Sequence, residues 1–128
     1  MLTTLIISDL HLTHVEEDKV KFFNKFCNAH ASKADQLFIL GDLFNTWLGD
    51  DVSISSYKEV ISTLKKLTEK TKVFVMAGNR DFLLSRKFEV ETGCTLIQEP
   101  YVLKYNTKKF LLIHGDSLCT DDVNYQKL

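Results

Sequence analysis

The sequence predicts an α/β domain built on a parallel sheet, and two observations lead to that fold class. Short apolar runs rich in β-branched residues alternate along the chain with longer segments whose apolar residues recur at helical spacing. Each of the first three runs is followed at once by a polar loop that contains aspartate, asparagine or histidine. Strands that are buried on both faces and joined by helices form parallel sheets with right-handed crossovers. We therefore expect a βαβαβ start with the sheet covered on both faces.

Three strands are predicted from uninterrupted apolar runs, at residues 4–8, 37–40 and 73–77. The residues within each run do not alternate between apolar and polar types, which is typical of strands that have no solvent-facing side. These three runs are the expected centre of the sheet.

Two helices are predicted between these strands. Apolar residues from Val20 to Ala34 recur at helical spacing, and acidic residues precede them where a helix N-terminus favours negative charge. A second apolar stripe runs from Tyr57 to Leu67, and Ser56 with Glu59 forms a candidate capping box at its start.

The pattern changes after the third strand. Residues 83–92 predict a short helix that ends at Gly93. Residues 101–105 and 109–114 are apolar runs separated by Asn-Thr-Lys, which predicts a β-hairpin and therefore the start of an antiparallel sheet.

Composition narrows the class of protein. A chain of 128 residues with 45% apolar residues and a net charge of -1 is one globular domain with no overall electrostatic attraction to nucleic acid. The N-terminal segment MLTTLIISD has neither the basic start of a signal peptide nor the length of a membrane span. The three cysteines have no C-x-x-C spacing, which indicates reduced core thiols of a cytosolic protein.

Candidate metal ligands follow four predicted strands. They are Asp9, His11, Asp42, Asn79 and His114. In open α/β sheets ligands bind at the carboxyl ends of the strands, so these side chains are expected to converge. If the first strand continues through Asp9 and His11, both side chains point to the same side. Carboxylate, imidazole and amide donors without thiolate suit manganese, iron or zinc. Two such ions roughly 3.5–4 Å apart clamp a phosphoryl group and activate water.

Each of these motifs has an ordinary structural explanation when it is taken alone. An Asp-x-His pair arises by chance or as a turn cap, and Gly-Asp and Gly-Asn are common turns. Four such motifs that all follow strands are far harder to explain by turn chemistry.

The motifs resemble those of the calcineurin-like metallophosphoesterase superfamily, in which D-x-H, GD, GN and a later histidine recur in this order. SDLHL, ILGDLFNTWLGDD, AGNRDFLL and HGDSLCTDDVNYQ are similar, more closely, to the UDP-2,3-diacylglucosamine diphosphatase family of bacterial lipid A synthesis. The similar segments extend from residue 8 to residue 126. Asn45 departs from the glutamate that is usual after GDLF in that family.

The resemblance implies a layered α/β/β/α sandwich and an enzyme that uses two Mn²⁺ ions. Asp9 and His11 would hold one ion, Asp42 would bridge, and Asn79 with His114 would serve the other. It further implies substrate contacts and a catalytic set. The substrate contacts are Asn79, Arg80 and Asp122, and the catalytic set is Asn79, Arg80 and His114.

The implied reaction hydrolyses a UDP-linked diacylated glucosamine to UMP and a lipid monophosphate. The implied location is the cytoplasmic face of the bacterial inner membrane, with peripheral contact and no nucleic-acid partner.

The family continues with a helical insertion over the acyl chains and a G-H-x-H segment. Neither is found here, so residues 1–128 are interpreted as the N-terminal part of one metallophosphoesterase domain. We expect little or no hydrolase activity from this chain alone, and self-association through an unpaired sheet edge that light scattering would detect.

Two other functions stay open on the sequence. One is a different phosphoesterase, such as a nucleotide phosphodiesterase or a protein phosphatase, although Arg80 replaces the histidine that many of these enzymes carry. The other is a catalytically silent remnant that binds metal or a partner without turnover.

Overall fold

Four parallel strands form the central sheet of the computed structural model, which describes residues 2–114. The strands are β1 Thr4–Ile7, β2 Gln36–Leu40, β3 Lys72–Met76 and β4 Thr95–Ile97, in the order β1-β2-β3-β4. The three predicted strands are confirmed within a residue at each end. The sequence did not predict β4, which has only three residues and none that is buried.

Four α-helices connect these strands. They are α1 Glu17–Ala29, α2 Asp50–Ser56, α3 Lys58–Leu67 and α4 Arg86–Thr92, and a 3-10 turn at Ala31–Lys33 follows α1. The two predicted long helices are confirmed as α1 and α3, but α1 ends at Ala29, whereas the predicted apolar stripe continued to Ala34. The predicted end of the short helix is also confirmed, because Gly93 follows α4 with a left-handed φ of 82°.

The predicted capping box at the start of α3 is wrong. Ser56 is the last residue of α2, which the sequence analysis did not predict, and Tyr57 takes the position before α3. No side chain caps the first turn of α3.

The helices pack on one face of the sheet because of the strand order. The chain adds each strand beside the previous one, and right-handed crossovers that proceed in one direction place every connecting helix on the same side. In β2, Leu37 and Ile39 belong to the core on this helical side. Its neighbours Phe38 and Leu40 point to the opposite face.

A β-hairpin covers the opposite face of the sheet. Its strands are β5 Tyr101–Tyr105 and β6 Lys108–Leu112, which pair antiparallel as predicted, with Asn106 in the left-handed turn at φ 60°. Leu103 and Leu112 pack in the same core as Phe38. The α/β/β part of the predicted sandwich is therefore present, and residues 2–114 contain no helical layer outside the hairpin. Within the same residues no helix is both long enough and apolar enough to cross a bilayer.

Two cysteines lie in the core on the helical side, as predicted. Cys27 and Cys94 are free thiols and buried, whereas Cys119 lies outside the described residues. Burial raises the pKa of each thiol to about 12, and the nearby charge of Cys94 adds to the rise at Cys27. Both groups are therefore protonated and unreactive in the folded chain at neutral pH.

Alkylation at pH 8 should label Cys27 and Cys94 slowly in the folded chain and rapidly after unfolding in urea. Peptide mapping by mass spectrometry follows each cysteine separately. The thiols ionise near pH 9 in the unfolded chain and near 12 in the folded one, so their contribution to stability is complete below pH 9 and is lost as the pH rises towards 12. Rapid labelling of either cysteine under native conditions would contradict this assignment.

Candidate metal centre

The loops that follow β1 and β2 carry three candidate ligands with unusual backbone angles. Asp9, His11 and Asp42 have left-handed φ values of 57°, 48° and 52°. Aspartate and histidine tolerate this region better than most side chains, and such residues concentrate at functional sites. The first strand does not continue through Asp9 and His11, because β1 ends at Ile7. Their convergence needs a different explanation.

That explanation is a backbone ladder between the two loops. The amide of Asp9 donates to the carbonyl of Gly41 at 3.0 Å, and the amide of His11 donates to the carbonyl of Asp42 at 2.9 Å. A further bond joins the amide of Leu12 to the carbonyl of Leu43 at 2.9 Å. The loop after β1 thus runs beside the loop after β2, and this pairing brings the ligand side chains together.

Four of the five predicted metal ligands meet at one place. Ligand atoms of Asp9, Asp42 and His114 lie within 4.8 Å of one another. The Nε2 atom of His11 lies 3.7 Å from Oδ1 of Asp9 and 3.8 Å from Oδ2 of Asp42. The same Oδ2 atom of Asp42 lies 3.3 Å from Nε2 of His114. Asp42 is therefore the central carboxylate of the group.

The hydrogen bonding of His114 favours a ligand at its other nitrogen. Its Nδ1 atom lies 2.8 Å from the carbonyl oxygen of Leu40, which accepts a hydrogen bond. In the neutral ring, a proton on Nδ1 leaves the Nε2 lone pair directed towards the carboxylate of Asp42. Two electron-rich atoms at such a distance are stabilised by a cation between them, so the donor set fits a divalent ion.

Two glycines allow the loops to approach this closely. A Cβ atom on Gly41 would overlap the imidazole of His114. A Cβ atom on Gly78 would lie 2.6 Å from Oδ1 of Asp42 and 2.9 Å from Nε2 of His114. The sequence suggested only turns at these positions, but the structure shows that the site has no space for a side chain there.

Asp81 joins the loops after β2 and β3, and sequence reasoning assigned it no role. Its side chain is 0% exposed and accepts hydrogen bonds from three backbone amides. The donors are Gly78 at 2.8 Å, Phe44 at 3.1 Å and Asp42 at 3.3 Å. Desolvation raises the pKa of Asp81, and the amide bonds oppose that rise. Its place in GNRDF was the only sequence feature that pointed to a role for Asp81. Two of its partners, Asp42 and Phe44, lie 39 and 37 residues away in the chain, so local spacing could not reveal them.

The fifth predicted ligand, Asn79, and the predicted substrate contact Arg80 are exposed on the loop after β3. The backbone amide of Arg80 donates to Oδ1 of Asp42 at 2.9 Å, which fixes this loop beside the candidate ligands. Within residues 2–114, no hydrogen bond or ion pair holds either side chain. Both are accessible to a bound molecule. Asp122, the third predicted substrate contact, lies outside the described residues.

Solved structures with a similar fold include two proteins of low sequence identity. A nuclease, MPE, from Pseudomonas putida superposes with a TM-score of 0.56 at 17% identity, over 77% of this chain and 49% of that chain. A protein of unknown function from Aquifex aeolicus gives a TM-score of 0.55 at 18% identity, over 87% of this chain and 59% of that chain. These similarities support the fold alone.

Curated relatives show much higher identity. A protein named UDP-2,3-diacylglucosamine hydrolase from Azotobacter vinelandii is 43% identical over 98% of this chain and 53% of the relative. A protein of the same name from Vibrio parahaemolyticus is 43% identical over 98% of this chain and 52% of the relative. The chain thus spans about half the length of the curated relatives it matches.

The family comparison agrees with the fold and with the donor set at the carboxyl ends of the strands. The family model described as calcineurin-like phosphoesterase matches residues 2–128, nearly the whole sequence. The chain belongs to the calcineurin-like phosphoesterase family.

Proposed function

We propose that this chain belongs to a Mn²⁺-dependent enzyme that hydrolyses the diphosphate of UDP-2,3-diacylglucosamine to UMP and 2,3-diacylglucosamine 1-phosphate. The observation that carries the proposal is the convergence of Asp9, His11, Asp42 and His114 beside the exposed Arg80. The substrate is suggested by the name that the curated relatives share.

Two metal positions share Asp42 in this proposal. Asp9 and His11 would hold one ion, and Asn79 and His114 would serve the other. Oδ2 of Asp42 faces both imidazoles, whereas its Oδ1 accepts the Arg80 amide, so Asp42 would contribute to both positions. Divalent ions bound here neutralise phosphate charge and lower the pKa of a coordinated water. The mixed oxygen and nitrogen donors suit Mn²⁺.

The presence of arginine at position 80 favours a diphosphate as the group that is hydrolysed. A guanidinium stays charged at any physiological pH, so it cannot protonate a leaving group. It can stabilise negative charge on two phosphate oxygens through its planar fork. A phosphate released from a diphosphate leaves readily as an anion, whereas an alkoxide needs a general acid such as histidine. This residue counts against a nucleotide phosphodiesterase and favours the diphosphatase over a silent remnant.

The acylated product and substrate imply a peripheral contact with the cytoplasmic face of the inner membrane. Leu48, Phe82 and Leu83 support this contact, because they are exposed apolar side chains on the two loops beside the proposed site. The chain should therefore sediment with vesicles of inner-membrane lipid composition, and a Phe82→Ser variant should sediment less. Complete recovery of the unchanged chain in the supernatant would argue against membrane contact.

Release of UMP from UDP-2,3-diacylglucosamine tests the proposed reaction. We expect Mn²⁺-dependent release by the chain extended with the C-terminal half of the Azotobacter relative, and loss of release in EDTA. The 128-residue chain alone should be at least about 100-fold slower, because its sequence offers no histidine after His114 to complete the donor set. Absence of UMP from the extended, metal-loaded protein would overturn the proposal.

Replacement of Arg80 tests the choice of leaving group. In the extended protein, Arg80→His should lower kcat/KM for the diphosphate by about 100-fold, and Arg80→Lys should lower it less because the charge remains. Thermal stability and Mn²⁺ affinity should not change, since the side chain is exposed and only the backbone amide contacts Asp42.

Arg86→His is the matched control, because Arg86 is also exposed but begins α4. Unchanged diphosphate hydrolysis in Arg80→His would show that this account of the loop is wrong.

A further inference from the structure

A second buried aspartate, outside the metal centre, also joins the loops after β2 and β3. Asp50 begins α2 and is only 7% exposed. Its Oδ1 atom accepts hydrogen bonds from Nε1 of Trp47 at 2.8 Å and from the amide of Ser85 at 3.2 Å. Its Oδ2 atom accepts from Oγ of Ser85 at 3.1 Å and from the amide of Phe88 at 2.9 Å. This one carboxylate therefore ties the end of the β2 loop to the start of α4.

Asp50 and Asp81 join the same two loops, and each carboxylate extends from one loop to donors on the other. Asp81 extends from the β3 loop to backbone amides of the β2 loop, and Asp50 extends from the end of the β2 loop to backbone amides at the end of the β3 loop. The two loops are consequently joined at both ends. A shift of either loop must break hydrogen bonds of a buried carboxylate, which is costly because buried donors such as the indole N–H of Trp47 lose an acceptor.

Arg80 precedes Asp81 in the chain, and its backbone is linked to Asp50 through Trp47. The backbone amide of Trp47 donates to the carbonyl of Arg80 at 3.2 Å, while its indole donates to Asp50. The Trp47 ring is 2% exposed and lies 4.5 Å from the ring of Phe44 between centroids. Trp47 thus links the carboxylate of Asp50 to the backbone of Arg80.

We propose that Asp50 is a positioning residue for phosphate binding, which sets the location of Arg80 through Trp47 and the start of α4. The inference rests on the proposed function, because it takes Arg80 as the residue that binds the diphosphate. A merely structural Asp50 would stabilise the fold without affecting the affinity of the folded chain for phosphate.

The test measures pyrophosphate affinity of the folded 128-residue chain in the presence of Mn²⁺ by isothermal titration. Asp50→Ala should weaken binding at least about ten-fold, because the loop loses the acceptor for four buried or half-buried donors. Asp50→Asn keeps one acceptor oxygen and should weaken binding less. Circular dichroism at the titration temperature establishes that each variant is folded.

Trp47→Phe gives a second variant, which keeps an aromatic ring at this position and removes the indole N–H together with part of the ring system. Like Asp50→Asn, this variant should bind pyrophosphate more weakly than the original chain. Trp47 is the single tryptophan of the chain, so its emission spectrum should also change in Asp50→Asn while the fold is retained.

Thr71→Val is the matched control for lost buried hydrogen bonds. Thr71 is buried immediately before β3, at the sheet edge opposite the metal centre, and its hydroxyl donates to the carbonyls of Ala31 at 2.8 Å and Ala34 at 3.1 Å. This variant should be destabilised but should bind pyrophosphate within two-fold of the original chain, about 0.4 kcal/mol.

Equal pyrophosphate affinity in the original chain, Asp50→Asn and Trp47→Phe would overturn the proposal, and so would an original chain that binds no pyrophosphate. Because binding is measured without turnover, the result is separate from the hydrolysis assay. Loss of affinity in the Asp50 variants together with no UMP release would reject the diphosphatase and retain the positioning role.

Discussion

The buried carboxylate of Asp81 is the interaction on which the candidate site depends. Three backbone amides, from Gly78, Asp42 and Phe44, donate to it in a place without solvent. The amides of Asp42 and Phe44 would lose a buried acceptor if the loops after β2 and β3 moved apart, so the two loops keep one relative position. Asp42 is fixed by this contact, and its own carboxylate then fixes the amide of Arg80 and faces the imidazoles. The site is thus built outward from Asp81, a residue that is not itself one of the candidate metal ligands.

The order of the strands explains why one candidate ligand, His114, follows a separate sheet. Strands added in one direction leave all connecting helices on one face, so the β5–β6 hairpin can pack on the other. His114 follows β6 and therefore lies at the carboxyl edge of the parallel sheet, where it contacts Leu40 and Asp42. Gly41 and Gly78 make this possible, because a side chain at either position would overlap or crowd the imidazole.

Periodicity predicted the parallel sheet, α1, α3 and the hairpin, since these elements owe their form to regular burial of apolar residues. It could not predict α2, whose sequence DDVSISS carries no apolar stripe, or the three-residue β4. Residue chemistry identified the converging ligands, but local spacing gave the wrong reason for the Asp9 and His11 pair. Asp50 and Asp81 join the two loops through partners more than 30 residues distant, which no local pattern contains.

We infer that Asp81 holds the loops that carry the candidate metal ligands in place before any ion binds. Calorimetric titration of Mn²⁺ into the folded chain and an Asp81→Asn variant tests it most directly. Asp35→Asn is the control, because Asp35 accepts the amide of Thr3 at 2.7 Å at the opposite edge of the sheet. We predict that Asp81→Asn weakens Mn²⁺ binding by at least about ten-fold, and that Asp35→Asn leaves it within two-fold. Equal Mn²⁺ affinity in the original chain and the folded Asp81→Asn variant would contradict the claim.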